Sequence, residues 1–242
     1  MDWQDRHVVV VGGTSGIGLA CTRLAAEAGA KVWSAGRNPE RRAHAASALV
    51  ALGERVNWAE ADVQDRDSLE RLFAAAAPID VLVLAATGTE RAMGPFLSME
   101  MEGFKRSFGK LWGYGNGVQT VMPHLVEDGA IVMVGGAVAR KCPPGMIAIS
   151  SVGNAVEGFC RALAAEIAPR RVNVVAPGMI ATGMFDNLAP EQREAMFEQA
   201  RGNILLGRVG EPEEVAAMIL AVAANRYMTG TTVDVEGGSL LP

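Results

Sequence analysis

The chain has 242 residues, half of them apolar, and a formal net charge of −5. That length is enough to bury one large core, so a single domain spanning 1–242 is expected, and the absence of a basic cluster argues against nucleic acid as a partner. No apolar run approaches a membrane span and the polar start MDWQDRH lacks the regions of a secretion signal, so the expected location is the cytoplasm.

In chain order, the strand-like run HVVVV (7–11) leads directly into GGTSGIG (12–18) and the amphipathic LACTRLAAEAGA, which Gly29 closes. KVWSA (31–35) follows, and Asn38 with Pro39 forms the N-cap and first turn of a helix that ends before Gly53. Further strand-like runs are RVNWA (55–59), IDVLVL (79–84), AIVMV (130–134), VNVVA (172–176) and TTVDV (231–235), with Pro190 and Pro212 opening two late helices. Strands alternating with helix-period segments predict an α/β fold, a parallel sheet of about seven strands covered by helices on both faces. The interval 98–126 is helical in pattern but contains Gly103, Gly109, Gly113, Gly115 and Gly117. Each interior glycine costs roughly 0.8 to 1 kcal/mol relative to alanine, so close packing against a neighbouring helix is expected to hold this segment.

Cys21, Cys142 and Cys160 have no C-x-x-C spacing and read as reduced thiols, while His7, His44 and His124 have no metal-ligand spacing. A small molecule is the expected ligand, with no metal, nucleic acid or membrane partner. Glycines at a strand-to-helix turn let the backbone approach a pyrophosphate, whose charge is stabilised by free amides and the positive helix end. The run at 12–18 is such a turn.

The spacing Gly12-x3-Gly16-x-Gly18 resembles the short-chain dehydrogenase/reductase family. The resemblance covers nearly the whole chain: Asp62-Val63 is similar to the family's adenine-contacting pair, IDVLV (79–83) to its fourth strand, and NVVAPG (173–178) to the strand leading to the nicotinamide. GRVGEPEEVA and MTGTTVDVEGG resemble its C-terminal segment. The resemblance implies a Rossmann-type doubly wound, three-layer α/β/α fold. It also implies a cofactor held by Gly12, Ser15, Gly16, Ile17, Gly18, Arg37, Asp62, Val63, Ala86, Ile180 and Thr182. After the second strand the chain reads Gly36-Arg37, where an acidic residue in this family selects NAD. With no carboxylate there to repel a 2′-phosphate and a guanidinium able to pair with it, NADP(H) is expected, NAD(H) remaining possible. Where the family commonly reads N-N-A-G, this chain reads LAAT (84–87) followed by Gly88, so an amide that braces the central sheet is missing.

The family's chemistry relies on a Tyr, a Lys four residues later, a Ser and an Asn, because hydride transfer to a carbonyl builds negative charge that a donor must meet. The resemblance places Ile149, Gly153, Gly136 and Lys110 at these four positions. No change of register restores the pair, since the only tyrosines are Tyr114 and Tyr227 and no lysine follows Lys141. Candidate substitutes are Lys110, whose pKa would fall in a dry pocket, Tyr114 one turn further along, and Ser151, which with Ser150 is expected to cap the helix beginning there. Lys110 also reads as a lysine snorkelling to solvent and Tyr114 as a packing residue. Cys142 beside Lys141 is a weaker candidate, and Met146, Met179, Met184 and Phe185 read as apolar lining of the substrate region or as core.

These observations imply an NADP(H)-binding oxidoreductase of atypical mechanism acting on a small molecule. Charged acceptors such as iminium ions suit a site without an acid, because their hydride-accepting step needs no proton. The alternative is a catalytically silent NADP(H)-binding sensor, scaffold or supporting subunit. The family resemblance further implies a homodimer or homotetramer through the helices at 98–126 and 150–168, with Gly117, Ala155, Gly158 and Ala162 suited to close helix contact.

Overall fold

Runs of β-branched residues buried on both sides define the centre of the molecule. In β1 (His7–Val11), Val9 and Val11 enter one core and Val8 and Val10 the other. This division is the period-2 signature of a strand covered on two faces. The computed structural model describes residues 2–87, 91–183 and 188–242. Six further strands complete the sheet: β2 (Lys31–Ala35), β3 (Val56–Ala59), β4 (Ile79–Leu84), β5 (Leu125–Val134), β6 (Arg171–Pro177) and β7 (Thr232–Val235). All seven are parallel, in the order β3-β2-β1-β4-β5-β6-β7. The expected α/β doubly wound fold is the observed one.

Eight α-helices connect the described strands: α1 (Gly16–Glu27), α2 (Pro39–Ala48), α3 (Arg66–Ala76), α4 (Met101–Ser107), α5 (Gly109–Val121), α6 (Ile147–Ile167), α7 (Pro190–Arg201) and α8 (Pro212–Ala224). One face of the sheet carries α3, α5 and α6, whose Leu69, Phe73, Val118 and Val156 pack on β1, β4, β5 and β6. The other face carries α1 and α8 through residues such as Cys21, Ala25, Val215 and Ile219. Local chemistry sets the helix starts. Asn38 accepts from Arg41 N at 2.8 Å with Pro39 in the first turn, and Asp65 accepts from Asp67 N at 3.0 Å and Ser68 N at 3.3 Å. No helix among the described residues is long and apolar enough to cross a membrane.

Three expectations change. The helix expected over 98–126 is two helices divided at Phe108, and two of its glycines, Gly113 and Gly117, pack on the sheet side of the same chain rather than on a helix. A Cβ at Gly113 would meet Val63 Cγ2 at 2.5 Å, and one at Gly117 would meet Leu84 Cδ2 at 2.9 Å. Gly117 is therefore used inside the chain and is not available to a helix of another copy. The fifth strand begins at Leu125, five residues before the expected start, because its pairing with β4 shifts register between Ile79 and Val81 and admits Gly129. Finally, α6 starts at Ile147 with Met146 at its N-cap, so Ser150 and Ser151 lie inside the helix and cap nothing.

Candidate active site

In the strand order, β1 lies between β2 and β4, and the direction of progression reverses there. Ligands of open parallel sheets bind at such a point, outside the carboxyl ends of the strands. The glycine loop leaves β1 at this place. Gly12 N and Gly13 N donate to Ala35 O at 2.8 and 3.1 Å, and Ala85 N donates to Val11 O at 2.8 Å, so the ends of β1, β2 and β4 are tied together. The loop is close-packed: a Cβ on Gly18 would lie 2.1 Å from Gly12 O, and one on Gly12 would lie 2.5 Å from Ala86 N. Gly16 has φ +50° and would place a Cβ 3.1 Å from the Thr182 methyl, so the segment leaving β6 closes over the start of α1. Ser15 is the extended N-cap of α1 and its side chain caps no amide, and Ile17 is half-buried on the same turn. Such a cradle, which has no room for side chains and leaves the first amides of α1 without a side-chain cap, fits a pyrophosphate.

The segments following β2 and β3 are polar and interlocked. Arg37 Nη1 donates to Asp62 Oδ2 at 3.3 Å, Gln64 N donates to Asp62 Oδ1 at 2.9 Å, and Asp62 N donates to Ser68 Oγ at 3.0 Å. Val63 packs its side chain on Gly113, and its carbonyl accepts from Asn116 Nδ2 at 3.0 Å. Two residues missed in the sequence shape the turn that presents Arg37. A Cβ on Gly36 would lie 2.5 Å from Thr14 Oγ1, so no acidic side chain fits at that point. Arg42 Nη1 donates to Gly36 O at 2.8 Å while its Nη2 reaches Glu60 Oε2 at 3.2 Å. The signal for Arg42 was its place one turn after the Asn38 cap.

At the far end of the crevice, Lys110 Nζ donates to Gly135 O at 3.3 Å, just past the end of β5, and lies 5.5 Å from the centroid of the Tyr114 ring. Lys110 is half-buried as a residue, but its ammonium is desolvated, and burial followed by the nearby Arg91 cation lowers its pKa to about 7. It does not reach into solvent. Tyr114 is 0% exposed and donates to Val134 O at 3.0 Å, and burial holds its phenol well above the ordinary range. A phenol so committed is a packing group and not a proton donor. Ser151 lies half-buried in the second turn of α6. Cys21 and Cys160 are buried, with thiols pushed up to about 12 and about 11, and Cys142 is exposed.

A family model described as enoyl-(acyl carrier protein) reductase matches residues 11–239. The chain belongs to the short-chain dehydrogenase/reductase family. It is 33% identical to the 3-oxoacyl-[acyl-carrier-protein] reductase FabG of Thermotoga maritima, covering 100% of both chains. It is 30% identical to the short-chain dehydrogenase/reductase malC of Malbranchea aurantiaca, over 98% of this chain and 96% of that one. The solved MalC reductase/Diels-Alderase superposes with a TM-score of 0.91 at 28% identity, over 100% of this chain and 99% of that one. An NADPH-bound short-chain oxidoreductase from Pseudomonas aeruginosa PAO1, containing an atypical catalytic center, superposes with a TM-score of 0.86 at 33% identity, over 97% and 98% of the two chains.

Among the positions that the dehydrogenase/reductase resemblance singles out, Gly153 is closed. No space opens there: a Cβ on Gly153 would lie 2.9 Å from Ala139 Cβ, because the turn Ala137–Ala139 packs directly on α6. Gly136, by contrast, has room, its nearest neighbour to a Cβ being Val138 at 3.9 Å. Ile149 is half-buried in the first turn of α6. Met179 and Ile180 line a cavity of about 100 Å³ with Ile204, Leu206 and Val235, and neither Lys110 nor Gly135 borders it. Met184 and Phe185 lie outside the described residues.

Proposed function

We propose that this short-chain dehydrogenase/reductase is an NADP(H)-dependent oxidoreductase of atypical mechanism, formed by the whole chain as one dinucleotide-binding unit. The acceptor in this reading is a small molecule that needs no strong acid beside it. The residues that would hold the cofactor are Gly12, Ser15, Gly16, Ile17 and Gly18 at the pyrophosphate, Arg37, Asp62 and Val63 on the adenosine side, and Ala86, Ile180 and Thr182 near the nicotinamide. Bound there, NADP(H) supplies or takes up a hydride. The reductase relatives and the NADPH-bound neighbour support this reading.

One observation carries the atypical mechanism. Around the end of β5, Gly153 is closed, Gly136 carries no side chain, Ile149 stands where the resemblance puts the tyrosine, and Lys110 lies beside Tyr114. Losing general acid-base help costs about 10² to 10⁴ in rate for a carbonyl, which leaves carbonyl turnover slow. An acceptor already carrying positive charge, such as an iminium ion, avoids that loss because nothing must protonate it as the hydride arrives.

Single-turnover mixing of the protein and NADPH with ketones, cyclic iminium ions and activated alkenes tests this reading. Oxidation of NADPH is expected with iminium ions at least about a hundredfold faster than with ketones of the same skeleton. Cofactor binding without consumption across all three classes would instead establish the silent, sensing alternative.

A further inference from the structure

Lys110 occupies a costly place for a cation. Among the described residues, its ammonium donates to Gly135 O at 3.3 Å and lies 5.5 Å from the centroid of the Tyr114 ring. Among the described residues no carboxylate forms an ion pair with it. The segments converging there, Ala85–Thr87, Gly135–Ala139 and the first turns of α6 from Ile147 to Val156, carry no ionisable side chain. From the loop after β4, Arg91 adds a second positive charge, which acts on both Lys110 and Tyr114. A buried cation in neutral surroundings gives up its proton unless an anion arrives. A bare iminium ion would meet two like charges here.

We propose that Lys110 holds the carboxylate of a zwitterionic acceptor, a cyclic imino acid, and so selects a substrate whose own negative charge permits its cationic C=N group to enter. This deepens the reductase reading above and rests on it. The C=N carbon gains the hydride, the π pair settles on a nitrogen that already carries hydrogen, and the imino acid is reduced to a cyclic amino acid as NADPH is oxidised. Lys110 delivers no proton in this step. It binds and orients the carboxylate through a charge-assisted hydrogen bond. Because carboxylate binding favours the charged amine, the site takes up a proton when it binds above about pH 7 and takes up none well below it.

Calorimetry with pyrrole-2-carboxylate, a planar analogue of a cyclic imino acid, tests this against its neutral counterpart pyrrole-2-carboxamide, with and without NADP⁺. The carboxylate is expected to bind at least about tenfold tighter than the amide. At pH 8, in buffers of different ionisation heat, roughly one proton is taken up per site, falling towards zero at pH 6. Lys110→Met should abolish both the preference and the uptake, whereas Lys110→Arg keeps the preference without the uptake, since arginine never loses its proton. Equal affinity for acid and amide, no binding of either, or proton uptake surviving in Lys110→Met overturns the proposal. The reductase reading is checked separately with Δ1-pyrroline-2-carboxylate and NADPH: tight, proton-linked binding without NADPH oxidation sustains the anion site and overturns the reductase reading.

Discussion

A first side-chain carbon at position 153 would meet Ala139 Cβ at 2.9 Å, so the place where the family resemblance puts a lysine is filled by the packed Ala139 methyl. Gly153→Ala is expected to destabilise the protein by about 1 to 3 kcal/mol through overpacking, as read by denaturant unfolding. Gly153→Lys combined with Ile149→Tyr should yield no ordinary ketone reductase, because the lysine stem has no path into the crevice. Ketone reduction at a normal rate by that variant would contradict the packing argument. Lys110 gives a second residue-scale prediction. Unfolded, it keeps its proton up to its ordinary value near 10.5; folded, it loses it at about 7, so between these values the unfolded state binds more protons. Stability therefore rises with pH across that window, and the cost of the buried charge is fully present below it. Lys110→Met should raise stability by about 2 kcal/mol at pH 6, with the gain vanishing by about pH 10 in thermal melts. The sequence pointed to Lys110 as a candidate whose pKa would fall in a dry pocket and left open that it reaches solvent, because Gly135 and Arg91, which define its surroundings, come from other segments.

The turn Ala137–Ala139 is fastened to both α6 and β7 by Arg140, which bridges Glu157 and Asp234. Glu157 is only 7% exposed, so removing its partner strands a charge. Arg140→Met is expected to cost about 3 to 5 kcal/mol, and adding Glu157→Gln should recover much of that loss. Equal stability of the single and double variants would show that the bridge is not what holds the turn. Next along the chain, Lys141 Nζ donates to Ser239 O at 2.7 Å and Leu241 O at 3.2 Å, which ties the C-terminal segment to the same loop. The strands were legible because runs such as HVVVV and IDVLVL are buried on both faces, and the helix starts because Asn38, Pro39, Pro190 and Pro212 act locally. The division at Phe108 and the early start of α6 were not legible. They depend on what Gly113, Gly117 and Gly153 press against, and those partners are distant in sequence.

For the whole molecule, the sheet order sets the ends of β1, β4 and β5 side by side, which would let the glycine loop, Ala86 and Lys110 serve one cofactor site although nearly a hundred residues separate them. That convergence follows from the parallel, right-handed connections and was implied by the alternation of strands and helices. We propose the outer face of α5 as the surface for association with other copies, since Trp112 is 64% exposed there and a Cβ on Gly115 would meet nothing within 4 Å. Sedimentation at micromolar concentration should give a dimer or tetramer, and Trp112→Glu should shift it towards monomer. An unchanged distribution would move the contact off α5. The Arg37–Asp62 pair, partly exposed and so worth about 0 to 1 kcal/mol, is weak enough to yield Arg37 to a 2′-phosphate. Calorimetric titration of NADPH and NADH into the wild-type protein and Arg37→Ala is the direct test of a crevice that binds a phosphorylated dinucleotide. NADPH should bind at least about tenfold tighter than NADH, with the preference lost in the variant; equal or tighter binding of NADH, or no binding of either, would contradict the account.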